Sequence, residues 1–165
     1  MNTESNQESQ LFVEIANQQE LEFDEARLLQ AAETILQDHG IVSGELSIAV
    51  VDDPTIRKLN KQYLEHDYET DVLSFAFESD LDAGFLNGQL IVSADTAARL
   101  ANELSISTDD ELLLYVVHGT LHLVGLKDKT DADASEMRKA ESSYLARYGV
   151  EHRWAKDEDE PEGAN

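Results

Sequence analysis

The length, composition and charge of this chain limit both its fold and its partners. Its 165 residues, 41% of them hydrophobic, are enough for one domain with a sizeable core and exclude wholesale disorder. Because the chain has no cysteine, it has no disulfides, and any metal must be bound by histidine, carboxylate or water. The net charge of −23 argues against loose binding of nucleic acid, since such binding depends on Lys and Arg neutralising phosphates.

The acidic residues are concentrated at the two ends of the chain. Residues 1–25 contain seven acidic residues and no basic one, and six more acidic residues follow from Glu151 onward. We therefore expect a disordered acidic N-terminus at residues 1–9, a single domain at residues 10–150 and a disordered acidic tail at residues 151–165. The polar first residues do not resemble a signal peptide, and apolar runs of about six residues are too short to span a membrane. These features predict a cytoplasmic protein.

Hydrophobic periodicity predicts a succession of strands and helices. Apolar residues that alternate with polar ones indicate strands, and apolar residues that recur every three or four positions indicate helices. Asp24, Asp53 and Ser93 are expected as N-caps, and Gly40 is expected to end a helix. The predicted elements are strand 11–15, helix 24–40, strand 45–51, helix 54–64, strand 72–77, strand 89–93, helix 94–104, a helix beginning at Thr108 or Asp109, and a helix from Thr130 or Asp131 to Tyr148.

The order of these elements predicts an α/β (α+β) fold with a small mixed sheet of about four strands and five helices packed on it. Residues 78–88 are expected to form an acidic, turn-rich connection between two strands that are close enough to pair. No internal repeat and no linker divides the chain, so a single domain is predicted.

The most informative stretch lies in the fourth predicted helix, where His118 and His122 occur four residues apart in an apolar run. This spacing places both imidazoles on one face of a helix, one turn apart, as two ligands of one metal ion require. Gly125 is expected to end the helix in a left-handed turn. Asp128 then lies where it can fold back over the helix end and offer a third ligand. The pattern H-x3-H-x2-G-x2-D therefore predicts a metal site at the end of the fourth helix.

Each of these residues also has a purely structural interpretation. Two histidines four residues apart occur by chance, so the pair alone is as compatible with core or surface histidines as with metal ligands. Asp128 is equally well explained as a loop aspartate or as a cap for the helix that starts near Thr130. We do not expect the other histidines to be ligands, because His39 ends a helix, His66 lies in a polar loop and His152 lies in the tail.

The chemistry of the predicted ligand set is that of a catalytic zinc site. Three protein ligands with water in the fourth position describe a catalytic zinc rather than a closed structural one. Such an ion lowers the pKa of its bound water and polarises a phosphoryl or carbonyl oxygen. Gly119 argues against a peptidase, because zincin peptidases carry their catalytic glutamate at that position. Histidine and aspartate also suit nickel or manganese, so these residues leave the metal open.

With the stretch His118-Gly-Thr-Leu-His-Leu-Val-Gly125, the sequence resembles the YbeY family of bacterial metal-dependent endoribonucleases. The resemblance extends from Leu46 to Tyr148. The other segments that carry it are Leu59-Asn60 and Tyr63, Thr70 to Phe75, Gly88, Leu90 to Ser93, and Ser135 to Met137.

The resemblance implies a small α/β fold with one zinc ion per chain near the end of the motif helix, beside a groove for single-stranded RNA. It implies an endonuclease that acts in ribosomal RNA maturation, notably at the 3′ end of 16S rRNA, and in ribosome quality control. The implied partners are ribosomal RNA and the small ribosomal subunit, together with ribosomal or GTPase proteins, and no membrane.

The chain departs from the family pattern at four positions, two of which are Gln89, where the family has aspartate, and Ala76, where it has proline. Asp128 stands where the family has a third histidine, and Leu64 stands where the family has an arginine able to hold a phosphate through two hydrogen bonds. Arg57, Lys61 and Lys127 are the basic residues that we expect to supply the phosphate contact instead. Two hypotheses follow: a zinc-dependent, single-strand-specific endoribonuclease, or a catalytically weakened, metal-stabilised protein that binds the ribosome.

Overall fold

The computed structural model describes residues 10–152, which form a four-stranded sheet and five α-helices. The strands are β1 (Gln10–Asn17), β2 (Ser43–Val51), β3 (Val72–Asp80) and β4 (Phe85–Ser93). The helices are α1 (Glu25–Asp38), α2 (Asp53–Leu64), α3 (Ala94–Leu104), α4 (Thr108–Leu123) and α5 (Asp131–Ala146).

The sheet is mixed, with the strand order β1-β2-β4-β3. β1, β2 and β4 are parallel to one another, and β3 pairs with β4 in the antiparallel direction at the edge of the sheet. Parallel neighbours require crossover connections, which α1 and the segment from α2 to β3 provide. The predicted small mixed sheet with five helices is confirmed.

Residues 78–88 are largely strand, so the predicted long connection is wrong. β3 continues to Asp80 and β4 begins at Phe85, and a single 3₁₀ turn at Leu81–Ala83 followed by Gly84 joins them. Gly84 has a φ of +73°, a left-handed conformation that glycine adopts without strain. The acidic residues of β3 are exposed on an edge strand, where charge protects against pairing with other chains but hides the strand pattern.

The N-cap of α2 is Asp52 rather than the predicted Asp53. The side chain of Asp52 accepts a hydrogen bond from a backbone N–H in the first turn of the helix. Asp53 instead accepts hydrogen bonds of 2.6 Å from the hydroxyls of both Ser93 and Thr96, and it forms a 3.0 Å ion pair with Arg99. The carboxylate of Asp53 therefore joins α2 to α3, a contact between elements that capping rules do not anticipate.

The apolar residues form one cluster on each face of the sheet. The larger cluster lies among the sheet, α1, α4 and α5, and the smaller cluster lies between α2 and the opposite face of the sheet. α4 is apolar on nearly every side because it runs through the larger cluster, where its 16 residues make it a core helix. Among the helices described here, none combines the length and the apolar character needed to cross a bilayer.

Candidate metal centre

A glycine at the contact between α4 and the sheet determines how closely the helix approaches. A Cβ atom on Gly119 would lie 2.7 Å from Leu90 Cδ2 and 3.0 Å from Ser74 Oγ. The Ser74 hydroxyl donates a 3.4 Å hydrogen bond to the Gly119 carbonyl. The position where a zincin peptidase carries glutamate is therefore packed against β3 and β4, which agrees with the argument against a peptidase.

The turn after α4 brings Asp128 back over the end of the helix. Gly125 has a φ of +109°, in the left-handed region expected for a glycine that ends a helix. Asp128 Oδ2 lies 3.2 Å from His122 Nε2 and 3.6 Å from His118 Nε2. One ligand atom from each of these residues lies within 4.8 Å of the others. The structure thus brings together the three side chains that the spacing predicted would meet.

The two separations from Asp128 Oδ2 suit a tetrahedral zinc ion. With bonds of about 2.0–2.2 Å to nitrogen and oxygen, two ligand atoms at neighbouring corners of a tetrahedron lie about 3.4 Å apart. The two distances from Asp128 Oδ2, 3.2 Å and 3.6 Å, lie on either side of that value. All three side chains are partly exposed, and a cavity of about 290 Å³ adjoins His118 and Asp128. The residues present fit a metal ion with a ligand position accessible to solvent.

Both imidazole rings are oriented through their Nδ1 atoms. His118 Nδ1 lies 2.5 Å from Glu141 Oε2, and His122 Nδ1 lies 3.0 Å from the backbone carbonyl oxygen of Leu126. A carboxylate and a carbonyl can only accept, so each Nδ1 carries the proton and donates it. The Nε2 lone pairs are then directed towards Asp128, in the arrangement typical of histidines that bind metal.

Glu141 is a buried carboxylate that the sequence analysis missed. It lies on α5 and is 1% exposed, and its second oxygen, Oε1, accepts a 2.7 Å hydrogen bond from His152 Nε2. The His152 ring, predicted to lie in the acidic tail, is 4% exposed. One pattern pointed to Glu141: it lies among the buried positions Met137 and Tyr144, where helical spacing favours an apolar residue.

The buried carboxylate and its neighbours shift one another's pKa values. Burial alone would lower the pKa of His118, but the hydrogen bond and charge of Glu141, with smaller contributions from Asp128 and Asp71, raise it. Burial alone would raise the pKa of Glu141, but the hydrogen bonds from His118 and His152 lower it. Glu141 is therefore an anion at neutral pH, and it favours positive charge on the ring of His118 or at its Nε2.

The three basic residues expected to contact phosphate do not lie together. Arg57 and Lys61 both lie beside Asp67, at 2.9 Å and 3.8 Å, and they line a separate cavity of about 470 Å³ next to α2. None of the three clustered side chains lines that cavity. Lys127 is exposed and directly precedes Asp128 in the turn. Leu64, where the resemblance leads us to expect an arginine, has an exposed fraction of 46%.

A family model described as "Endoribonuclease YbeY" matches residues 14–149. The chain belongs to the YbeY endoribonuclease family. Among curated members, the endoribonuclease YbeY of Rhodopirellula baltica is 40% identical over 141 residues, covering 84% of this chain and 72% of the relative. The YbeY protein of Salinibacter ruber is 38% identical over 130 residues, covering 75% of this chain and 83% of the relative.

A solved structure shows the same fold. The solution structure of TM1509 from Thermotoga maritima covers 92% of this chain and 98% of its own, with a TM-score of 0.58. The sequence identity is 24%, so this likeness concerns the fold alone.

Proposed function

We propose that the protein is a zinc-dependent endoribonuclease that hydrolyses phosphodiester bonds in single-stranded RNA. The observation that carries the proposal is the cluster of His118, His122 and Asp128 at the edge of a cavity, in a chain of the YbeY family. One zinc ion per chain, held by these residues, would supply a Lewis acid and lower the pKa of a bound water molecule. We assign the activity to ribosomal RNA maturation in the cytoplasm, notably at the 3′ end of 16S rRNA, and to ribosome quality control. Its partners would be the small ribosomal subunit and ribosomal or GTPase proteins.

The bound metal ion, rather than the side chains around it, would attract an anionic substrate, because the carboxylates of Asp71, Asp128 and Glu141 also line the adjoining cavity. Two neutral imidazoles and one carboxylate leave a divalent ion with net positive charge, which attracts a phosphodiester. Lys127 adds an exposed cation beside Asp128. A cavity of about 290 Å³, lined in part by Asp71 and Tyr115, adjoins the cluster. The preference for unpaired RNA, in which bases can be splayed out of the strand, rests on the family resemblance.

Cleavage of ribosomal RNA fragments by the purified protein tests this proposal. We expect an unpaired fragment to be cut in the presence of zinc, cutting to stop after a chelator is added, and zinc to restore it. The His118→Ala variant should be inactive, whereas His39→Ala, which removes an exposed histidine outside the cluster, should cut as the wild type does. Equal cleavage by the wild type and His118→Ala would refute the assignment.

The second candidate is a metal-stabilised protein that binds the ribosome without cutting RNA. Two observations favour it: Leu64 replaces the arginine that the family resemblance leads us to expect, and Arg57 and Lys61 are engaged with Asp67. In that case chelation would lower the melting temperature strongly, no RNA fragment would be cut, and the protein would still co-sediment with small ribosomal subunits. The same preparations used for the cleavage assay therefore distinguish the two functions.

A further inference from the structure

We propose that His152 is a positioning residue for the metal centre and acts through Glu141 on the ring of His118. The inference rests on the proposed metal binding. It extends the centre from the motif helix and its turn to a histidine that follows α5.

Three consecutive contacts link His152 to the ligand cluster. His152 Nε2 lies 2.7 Å from Glu141 Oε1, Glu141 Oε2 lies 2.5 Å from His118 Nδ1, and His118 Nε2 lies 3.6 Å from Asp128 Oδ2. The two oxygens of Glu141 are thus each used by a different histidine. His152 is the outermost member of this series, and its ring is almost completely buried.

His152 restricts the terminal side-chain torsion of Glu141, which rotates the carboxylate group. The terminal torsion of glutamate is broad and roughly two-fold, so a carboxylate held by one oxygen alone can turn about that bond. With the second oxygen held by His152, the carboxylate plane is fixed and Oε2 stays directed at His118 Nδ1. The proton of His118 is then kept on Nδ1, and the lone pair of Nε2 is kept towards Asp128.

Folding alone gives no reason for a carboxylate at this place. Buried neighbours of Glu141 on α5 include Met137 and Leu145, so an apolar side chain would suit the surroundings. Removing a charged pair from water is unfavourable, and apolar replacements of such pairs are often neutral or stabilising. The role of the buried carboxylate is to orient His118, because both hydrogen bonds of Glu141 serve to hold that ring.

Zinc affinity measured by competition with a chromophoric chelator tests the role of His152. Loss of an outer partner of a ligating histidine typically weakens metal binding by about 10–100-fold. We expect His152→Ala to weaken zinc binding about tenfold, at the lower end of that range because His152 acts through Glu141. His152→Gln places an amide donor near the position of Nε2 and should restore most of the affinity. Tyr144→Phe, which removes a hydrogen bond from the same helix without touching the histidines, is the matched control.

The visible absorption of the cobalt-loaded protein adds a readout that a general loss of stability does not change. We expect the spectrum to be altered in His152→Ala, because the ring of His118 changes its direction towards the metal, and to be recovered in His152→Gln. A double variant, Glu141→Met with His152→Leu, separates positioning from folding. Its melting temperature without metal should be close to that of the wild type, while its zinc affinity is about 10–100-fold weaker.

Three results would overturn the proposal: a His152→Ala variant with the zinc affinity and cobalt spectrum of the wild type, a His152→Gln variant as weak as His152→Ala, or a double variant with undiminished affinity. The wild type and His118→Ala set the reference for each measurement. If the wild type binds zinc and His118→Ala does not, any of these three results refutes this inference alone. If the wild type binds no zinc, the proposed function fails and takes this inference with it.

Discussion

Replacing Gly119 with alanine tests how strictly the contact between α4 and the sheet controls the metal centre. The new methyl group would lie 2.7 Å from Leu90 Cδ2, 3.0 Å from Ser74 Oγ and 3.1 Å from Val72 Cγ2. Leu90 is completely buried, so its side chain cannot turn out into solvent to make room. The methyl group therefore has to push α4 away from β3 and β4, or displace core side chains from their rotamers.

Two opposing effects determine the free energy of this substitution. Alanine is favoured over glycine in a helix interior by about 1 kcal/mol. Overpacking a tight core costs about 1–3 kcal/mol, and three contacts at or near 3 Å or less place Gly119 in the upper part of that range. We therefore expect Gly119→Ala to lower the free energy of unfolding by about 1–2 kcal/mol.

Urea denaturation of the wild type and Gly119→Ala measures this difference, with an unchanged slope showing that both unfold from the same compact state. Leu90→Val provides the control, since it shortens the nearest neighbour. In the Leu90→Val background, Gly119→Ala should lower the free energy of unfolding by a smaller amount. A double-mutant cycle reports this difference as a favourable coupling energy. Because His118 precedes Gly119, zinc affinity should also fall. A Gly119→Ala protein as stable as the wild type, with no coupling to Leu90, would refute the packing argument.

Three further predictions concern the ligands and the hydrogen bonds that hold the fold together. In metal analysis, Asp128→Ala should lose most of the bound zinc, while Asp128→His, which restores the family ligand, should retain it. Equal zinc content in the wild type and both variants would remove Asp128 from the ligand set. Asp53→Ala should lower the free energy of unfolding by about 2–3 kcal/mol, because two buried hydroxyls lose a charged acceptor. Burial alone would raise the pKa of the Asp53 carboxylate, but the hydrogen bonds from Ser93, Thr96 and Arg99 and the charge of Arg99 together lower it. This contribution is therefore present above pH ~3.9 and is lost as the pH falls below that value, so the wild type and variant should converge in acid urea titrations. Burial, together with the hydrogen bond to Asp38, raises the pKa of Tyr144 to about 12. The stabilising effect of the neutral Tyr144 hydroxyl is present below the usual tyrosine pKa of about 10 and is lost as the pH rises through 12. The difference in tyrosinate absorbance between wild type and Tyr144→Phe should show the ionisation of Tyr144 as a step at high pH.

The parts of the site that could be predicted are those produced by local spacing. His118 and His122 meet because residues four apart share a helix face, and Gly125 turns the chain because its left-handed conformation suits glycine. Asp128 follows within a few residues, so its approach depends on the same short turn. The strands and helices were predictable for a similar reason, since their periodicity is visible within a window of about 11–18 residues.

The parts that could not be predicted depend on contacts between distant segments. Glu141 reaches His118 across 23 residues, and His152 reaches Glu141 across 11, so no local pattern joins them. The choice between Asp52 and Asp53 as the cap of α2 likewise depends on the partners that Asp53 finds on α3. In each case the deciding interaction exists only after the helices have packed.

The position of His152 after α5 has a consequence for the order in which the protein is made. A chain emerges from the ribosome starting at its N-terminus, and domains fold as their segments become available. His118, His122 and Asp128 emerge first, then Glu141, and His152 is the last of these five residues. The hydrogen bonds that link His118, Glu141 and His152 therefore cannot all form until the chain has been synthesised through residue 152. For a protein proposed to cut ribosomal RNA, this order delays complete assembly of the centre until the segment after α5 has been made.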